Sequence, residues 1–167
     1  NPPVSYHPRS MSRIELEGSN VLVTGGAGAI GSHIVDQLIG RRPRRIIVLD
    51  NLSEGGVWNL ESAVKNPSVP VDLVRGDIRS EEDLDETFQG VDYVFHQASM
   101  LLLESRAKPR KAIDVNILGT YNILQACIRH RVKKVVWASS ASVFGEPVSL
   151  PVREDHPLNN ITFYGAT

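Results

Sequence analysis

Short apolar runs alternate along the chain with longer segments in which apolar residues recur at every third or fourth position. The runs are rich in valine, isoleucine and leucine, as is typical of buried strands, and they predict strands at 20–24, 45–50, 71–76, 93–97 and 134–138. The longer segments predict helices at 29–40, 58–65, 80–89 and 109–130, with Ser80 and Asp83 at N-cap spacing before the third. Strands separated by helices pair in parallel, so the pattern predicts an α/β fold with a doubly wound parallel sheet and helices on both faces.

The amino-acid composition excludes only a few classes of function. The 167 residues include 18 Lys and Arg and 19 Asp and Glu, so the net charge is −1, and nothing predicts binding to nucleic acid or to an anionic membrane. No apolar stretch approaches the ~18 residues that span a bilayer, and no Cys and His cluster has metal-site spacing. The single cysteine, Cys127, lies in an apolar helical pattern and is expected to fill the core. A reducing, cytoplasmic location is therefore expected.

The first 18 residues differ from the rest. They contain Pro2, Pro3 and Pro8 and lack the apolar core of a secretory leader. We expect an N-terminal extension at 1–18. Within it, Met11 could be the natural start of the protein, and residues 1–10 could have been added for its expression. Residues 19–167 are expected to form one domain.

Three glycines mark the turn between the first strand and the first helix. Gly25 allows a tight turn with positive φ, Gly28 lets the backbone approach a pyrophosphate, and Gly31 lets the helix pack closely on the strand. The first amides of that helix, at Ala29 and Ile30, are unpaired and favour a negative ligand. The turn predicts a Rossmann-type dinucleotide site, although such turns also occur for packing alone.

A carboxylate follows the second strand. Asp50, about twenty residues after the glycine turn, is placed to accept hydrogen bonds from both hydroxyls of an adenosine ribose. Its charge would repel the extra phosphate of NADP, so NAD is the predicted cofactor. Arg44 and Arg45 precede the strand and are poorly placed to bind that phosphate.

The other strand ends carry polar or small residues as well. Asp77 could accept from the adenine amino group while Ile78 covers the ring, and the small residues at 97–99 leave room for a ribose and nicotinamide. Asp, Ser and Gly also favour ordinary turns. Because the carboxyl ends of parallel strands meet at one edge, we expect a ligand to lie across this edge.

Two residues could perform chemistry. Tyr164 could act as a general base or acid on an alcohol if a neighbouring cation lowered its pKa. Ser140, after the fifth predicted strand, could hydrogen-bond the same substrate oxygen. Taken alone, Tyr164 is better explained as an ordinary surface or core tyrosine, and Ser140 as a turn residue.

Together these segments resemble the N-terminal lobe of the NAD-dependent epimerase/dehydratase family, which are extended short-chain dehydrogenases/reductases that act on nucleotide sugars. The matching segments are 24–31 (TGGAGAIG), 50–53 (DNLS), 76–78 (GDI), 96–98 (HQA), 116–120 (NILGT), 139–145 (SSASVFG) and 164–167 (YGAT). Within the family, 50–53 with Asn59 and Leu60 looks most like the UDP-glucose 4-epimerases.

The resemblance implies NAD as cofactor and assigns the site residues. Ser140 and Tyr164 would be catalytic. The cofactor-binding residues would be Gly25, Gly28, Ala29, Ile30 and Gly31 at the pyrophosphate, Asp50, Asn51, Leu52 and Ser53 at the adenosine ribose, Asp77 and Ile78 at adenine, and Gln97, Ala98, Ser99, Asn116 and Tyr164 on the inner side. No metal is implied.

The implied reaction is epimerisation of a nucleotide sugar, most simply a UDP-sugar. Tyr164 would take a proton from a sugar hydroxyl as NAD accepts hydride, and hydride would return to the other face of the keto sugar. Ala141 and Ser142 stand where sugar 4,6-dehydratases carry an acidic pair, which favours the epimerase. A decarboxylase, dehydratase or reductase of the same superfamily, or a non-catalytic NAD-binding protein, remains the alternative.

Two further expectations concern the end of the chain and its assembly. The family's Tyr-x-x-x-Lys pair would place Lys one residue past Thr167, and the substrate lobe would lie beyond it, so we expect this 167-residue form alone to be inactive. The helix at 109–130 is apolar over more than one face, and the resemblance implies that it pairs with the same helix of a second copy in a homodimer, unless that helix only covers the sheet. The segment Met100–Leu103, expected as a loop, could select an unusual sugar or pack against the absent lobe.

Overall fold

A computed structural model describes residues 15–167, so the expectations for Met11 and residues 1–10 lie outside the described residues. One sheet of five parallel strands forms the centre, in the order β3-β2-β1-β4-β5. The strands are β1 (Asn20–Thr24), β2 (Arg45–Asp50), β3 (Val71–Arg75), β4 (Tyr93–His96) and β5 (Lys134–Trp137). The predicted doubly wound parallel sheet is confirmed.

Helices cover both faces of the sheet. They are α1 (Ala29–Ile39), α2 (Glu61–Val64), α3 (Glu81–Thr87), α4 (Leu102–Ala107), α5 (Pro109–Ala112), α6 (Thr120–Arg129) and α7 (Phe163–Ala166). Side chains alternate along β1: Val21 and Val23 pack in one core cluster with Val35 of α1, whereas Leu22 packs in the other with Leu84 of α3 and Ile123 of α6. The central strand is therefore buried on both sides, which explains its nearly continuous apolar run.

The long predicted helix is interrupted. Between α5 and α6 the segment Ile113–Gly119 is a π-helical turn, which widens the helix next to the sheet edge. Gly119 packs so closely on Ile78 that a Cβ there would lie 2.6 Å from the isoleucine Cδ1. A periodic pattern of apolar residues does not distinguish a π-turn from an α-helix, so this turn could not be predicted from the sequence.

The prediction of a loop at Met100–Leu103 is confirmed for Met100 and Leu101 and wrong for Leu102 and Leu103, which are helical. Leu102 begins α4, and Leu101 is its extended N-cap residue. Leucine, glutamate and arginine favour helix, and Pro109 ends α4 because the residue before a proline avoids the helical region. Met100 is buried, whereas the three leucines that follow it are exposed.

Two local predictions are confirmed. The Ser80 hydroxyl caps α3 by accepting from the Asp83 amide at 3.2 Å, although the Asp83 carboxylate reaches the Asp77 amide, at 2.7 Å, instead of returning to Ser80. Cys127, on α6, is buried in the core, and desolvation raises the pKa of its thiol to about 11. No helix in the described part of the chain is both long and apolar enough to cross a bilayer.

Candidate functional site

A cavity of about 690 Å³ lies across the carboxyl ends of the strands, where the order of the sheet reverses between β1 and β4. Its size and place are typical of a cofactor site in an open α/β sheet. The structure brings almost all of the predicted site residues to its wall: Gly25, Gly28, Ala29, Ile30, Gly31, Asp50, Asn51, Ser53, Asp77, Ile78, Gln97, Ala98, Ser99, Asn116, Ser140 and Tyr164. Leu52 is the exception, because its side chain packs against the core cluster beneath β2.

The glycine turn has no room for side chains. Gly25 has a φ of +66°, and a Cβ there would lie 2.6 Å from the backbone nitrogen of Ala98. A Cβ at Gly31 would collide with the carbonyl oxygen of Gly25 and lie 2.7 Å from the Cα of Gly26. Gly28 is less constrained, with 3.3 Å to the same carbonyl oxygen. The turn is therefore a bare backbone cradle at the floor of the cavity.

The N-terminus of α1 opens into this cradle. The bond from the Ser32 amide to the Gly28 carbonyl is the first one of the helix, so the amides of Ala29, Ile30 and Gly31 precede any intrahelical partner. Gly28 is the N-cap residue and supplies no side-chain cap, and Ile30 is 67% exposed. Free amides at the positive end of a helix dipole suit a diphosphate, so the residues present fit a dinucleotide.

The Asp50 carboxylate is itself hydrogen-bonded to the glycine turn. Its carboxylate accepts from the Ala27 amide at 2.9 Å and from the Leu52 amide at 2.8 Å, one bond to each oxygen. Each oxygen keeps one further acceptor position. Asp50 is only 8% exposed, so these remaining positions are restricted to the cavity edge. A ribose diol offers two matching donors.

The segment after β2 also contacts Ala27, and the sequence pattern did not predict this contact. The Ala27 carbonyl accepts from the side-chain amide of Asn59 at 2.8 Å and from the Gly56 amide at 3.1 Å. Gly55 approaches so closely that a Cβ there would lie 2.5 Å from Ala27. The segment after β2 thus supports the cradle from behind. The one sequence signal for this supporting role was that Asn59 belongs to the residues that resemble the UDP-glucose 4-epimerases.

The Asp77 carboxylate is saturated. Arg79 donates three bonds to it, from its backbone amide at 3.0 Å, from Nε at 2.9 Å and from a terminal nitrogen at 2.7 Å, and Asn51 Nδ2 donates a fourth at 3.2 Å. The hydrogen bonds from the Arg79 side chain lower the pKa of Asp77 to about 2. Because a carboxylate has about four acceptor positions, an adenine amino group must displace one donor. The Asn51 bond is the longest of the four.

Ser140 and Tyr164 both line the far wall of the cavity. Asn160 accepts from the Thr162 amide at 2.8 Å, and the Thr162 hydroxyl caps α7 by accepting from the Gly165 amide at 2.9 Å. A Cβ at Gly165 would lie 2.6 Å from the Ser142 carbonyl, so α7 rests directly on the 3-10 turn Ala141–Phe144. This contact holds the half-buried Tyr164 beside the serine that begins that turn.

Asn116 connects this wall to the rest of the cavity. Its amide accepts from the Met100 nitrogen at 2.7 Å and donates to the Met100 oxygen at 3.1 Å and to the Thr167 hydroxyl at 2.9 Å. That hydroxyl donates in turn to the Tyr164 carbonyl at 3.0 Å. Both side-chain amide protons of Asn116 are thus engaged by the protein, and its oxygen keeps one further acceptor position. The amide joins the π-helical turn, the segment after β4 and α7.

Within residues 15–167, no group of three or more His, Cys, Asp and Glu side chains could hold a metal ion.

Comparison with known proteins gives a consistent answer. A model of the "NAD dependent epimerase/dehydratase family" matches residues 21–167. The UDP-glucose 4-epimerase of Halalkalibacterium halodurans is 39% identical over 150 residues, which are 88% of this chain and 42% of that relative. The chain thus spans less than half the length of such relatives.

Solved structures extend the comparison to two activities. The UDP-glucose 4-epimerase of Bifidobacterium longum in complex with NAD+ and UDP matches with a TM-score of 0.82 and 34% identity, over 89% of this chain and 45% of that one. DesIV, a dTDP-glucose 4,6-dehydratase of Streptomyces venezuelae with NAD and TYD bound, matches with a TM-score of 0.80 and 34% identity, over 88% of this chain and 47% of that one.

Proposed function

The chain belongs to the NAD dependent epimerase/dehydratase family, and on that premise we propose that residues 19–167 form the NAD-binding domain of a nucleotide-sugar 4-epimerase. The observation that carries the proposal is the cavity in which a bare glycine cradle, an α1 N-terminus and the Asp50 carboxylate face one another. Its nucleotide-sugar substrate is proposed to be a UDP-sugar, as in the epimerase relatives.

The chain's own groups divide the work of holding the cofactor. The amides of Ala29 and Ile30 would bind the pyrophosphate, Asp50 would bind the adenosine ribose, and Asp77 with Ile78 would frame adenine. Gln97, Ala98 and Ser99 line the other side of the switch point and would face the nicotinamide half. When bound, NAD supplies a group that can accept and return hydride at the sugar.

Two side chains would handle the sugar oxygen. Tyr164 would remove the hydroxyl proton and return it later, as a general base and then a general acid. The Ser140 oxygen accepts from the Ser142 amide at 3.2 Å, which leaves its own proton free to donate to the same sugar oxygen. The serine would thereby hold the oxygen in line with the tyrosine.

The same wall argues for epimerisation over dehydration. Elimination of water from a sugar needs a general acid or base near the leaving hydroxyl. Ala141 and Ser142, which follow Ser140 along the chain, carry no carboxyl group. A decarboxylase or reductase with the same fold stays the second candidate, and net formation or consumption of NADH would identify it, since an epimerase leaves the amount of NADH unchanged.

We expect the chain to bind NAD about a hundredfold more tightly than NADP in calorimetric titrations, because Asp50 repels a 2′-phosphate. Asp50→Ala should lower the NAD affinity about a hundredfold and remove most of the preference, since it deletes the ribose acceptor and the tie to Ala27. The matched control is Asp36→Ala, which removes the same charge from an exposed position on α1. Equal affinities for the two dinucleotides in the parent chain would contradict the proposed function.

Turnover is proposed for the whole protein and not for this segment. The chain covers 42% of the H. halodurans relative, so the sugar-binding part of such an enzyme has no counterpart among the described residues. Residues 1–167 by themselves are expected to bind NAD without epimerising a sugar. We also propose a cytoplasmic location, supported by the lone cysteine, which is a buried free thiol.

A homodimer is the proposed assembly. The helical region 109–129 exposes a second apolar face, opposite the face that packs on the sheet, and Tyr121 is 56% and Ile128 71% exposed. The members of this face are Ile113, Ile117, Leu118, Tyr121, Leu124 and Ile128. A contiguous apolar face of this kind typically marks a protein interface.

Sedimentation at micromolar concentration is expected to show a dimer, and Leu118→Glu is expected to give monomers because it places a charge in the buried interface. Gln37→Glu, which adds the same charge at an exposed position on α1, should leave the dimer intact. A parent chain that sediments as a monomer would rule this assembly out.

A further inference from the structure

His96 ends β4 and is buried between the sheet and the long helical region. It is 5% exposed, and its two ring nitrogens each face a threonine hydroxyl. The Thr24 oxygen lies 2.6 Å from Nδ1, and the Thr120 oxygen lies 3.0 Å from Nε2. Neither the sequence pattern nor the proposed chemistry uses this imidazole, although it reaches the cavity wall.

The hydrogen bonds around Thr24 are satisfied by a ring that is protonated on Nε2. The Thr24 hydroxyl oxygen accepts from the Ala98 amide at 3.3 Å, and its proton can be donated to Nδ1 of His96, 2.6 Å away. The ring proton is here assigned to Nε2, from which it is donated to Thr120. Desolvation lowers the pKa of His96 to about 4, so the ring is neutral at neutral pH.

This network joins the two halves of the cavity. Thr24 directly precedes Gly25 of the pyrophosphate cradle, and Ala98 lies on the side proposed to face nicotinamide. The two segments touch, because a Cβ on Gly25 would lie within 2.8 Å of the Gln97 and Ala98 backbones. The Gln97 amide donates to the Thr24 carbonyl at 3.0 Å, and the Thr24 hydroxyl adds a second tie one residue further along, at Ala98.

We propose that His96 is a positioning residue for the nicotinamide half of the cofactor. In its Nε2–H tautomer it orients the Thr24 hydroxyl, which holds the Ala98 backbone at a fixed distance from the glycine cradle. The inference rests on the proposed NAD binding, and it predicts a selective effect. ADP would contact the cradle and the β2 and β3 ends only, whereas NAD also needs the inner wall.

Two substitutions at position 96 test the two hydrogen bonds of the imidazole ring one at a time. His96→Asn places an amide oxygen near the position of Nδ1 and keeps an acceptor for Thr24, whereas His96→Gln places an amide nitrogen near Nε2 and keeps only the donor to Thr120. In titrations of the full chain, we expect the Kd for NAD to rise about tenfold in His96→Gln and to stay within about threefold in His96→Asn. The Kd for ADP should stay within about twofold in both.

A second pair of substitutions, at Thr24, tests the same inference if a His96 variant fails to fold. Thr24→Val removes the hydroxyl and is expected to weaken NAD binding about tenfold while sparing ADP, and Thr24→Ser is expected to retain NAD binding. Equal losses for NAD and ADP, or unchanged NAD binding in His96→Gln and Thr24→Val, would overturn the positioning role. If the parent chain bound neither ligand, the proposed function itself would fail, and the positioning role with it.

Discussion

Gly31→Ala is expected to abolish measurable NAD binding and to lower the free energy of unfolding by about 3 kcal/mol. The added methyl group would collide with the Gly25 carbonyl and lie 2.7 Å from the Cα of Gly26. Neither atom is the end of a flexible side chain, so the helix must move away from the strand. Such a shift would displace the α1 amides that face the cavity and widen the cradle that Asp50 and Asn59 hold in place.

The matched control is Gly40→Ala, at the other end of the same helix. There the backbone is right-handed helical and the nearest atom to a Cβ, the Gln37 carbonyl oxygen, is 3.5 Å away. This variant should be neutral or slightly stabilising. Urea unfolding and NAD titration of both variants check the prediction. Parent-like NAD affinity in Gly31→Ala would show that the cradle does not hold the cofactor.

The sequence was sufficient wherever structure is determined by neighbours along the chain. The five strands were located to within a residue because buried parallel strands are continuous apolar runs, and Ser80 was identified as a cap because its partner is three residues away. Gly25 and Gly31 were assigned correctly to a close turn because their spacing matches the needs of a strand-to-helix connection.

What the sequence could not show depends on contacts between distant segments. Asn51 is the fourth donor to Asp77 only because β2 and β3 are neighbours in the sheet, which brings the two strand ends together. His96 and Thr24 are 72 positions apart and meet because β1 and β4 are neighbours in register. No local pattern records such pairings, and these are the contacts that shape the cavity beyond its glycine floor.

Placement of the chemical residues also depends on distant contacts. Tyr164 and Ser140 could be named from the resemblance, but the reason they share a wall is the seating of Gly165 on the Ser142 carbonyl and the bond from Asn116 to Thr167. Asn116 lines the cavity, and its amide also joins three segments of the protein. The residues at the cavity wall were thus predictable, whereas the contacts that support them were not.

Tyr164→Phe is expected to lower epimerase turnover about a thousandfold while leaving the Kd for NAD within about twofold of the parent. The hydroxyl is the proposed proton acceptor, and phenylalanine keeps the ring that packs at the cavity wall. The rate should be measured with a UDP-sugar in a protein of the relatives' full length that contains this chain, and the NAD affinity by titration of the same samples. Ser140→Ala should cost about a hundredfold, since it removes one hydrogen bond to the sugar oxygen but no proton acceptor.

Tyr93→Phe is the matched control for this prediction. It removes a tyrosine hydroxyl at the start of β4, at the opposite edge of the sheet from the cavity, and should turn over like the parent. Full activity in Tyr164→Phe would mean that another group moves the proton. A parent protein that binds NAD and never interconverts a UDP-sugar would instead favour the non-catalytic alternative, in which the cradle and Asp50 bind the dinucleotide while the tyrosine and serine play no part.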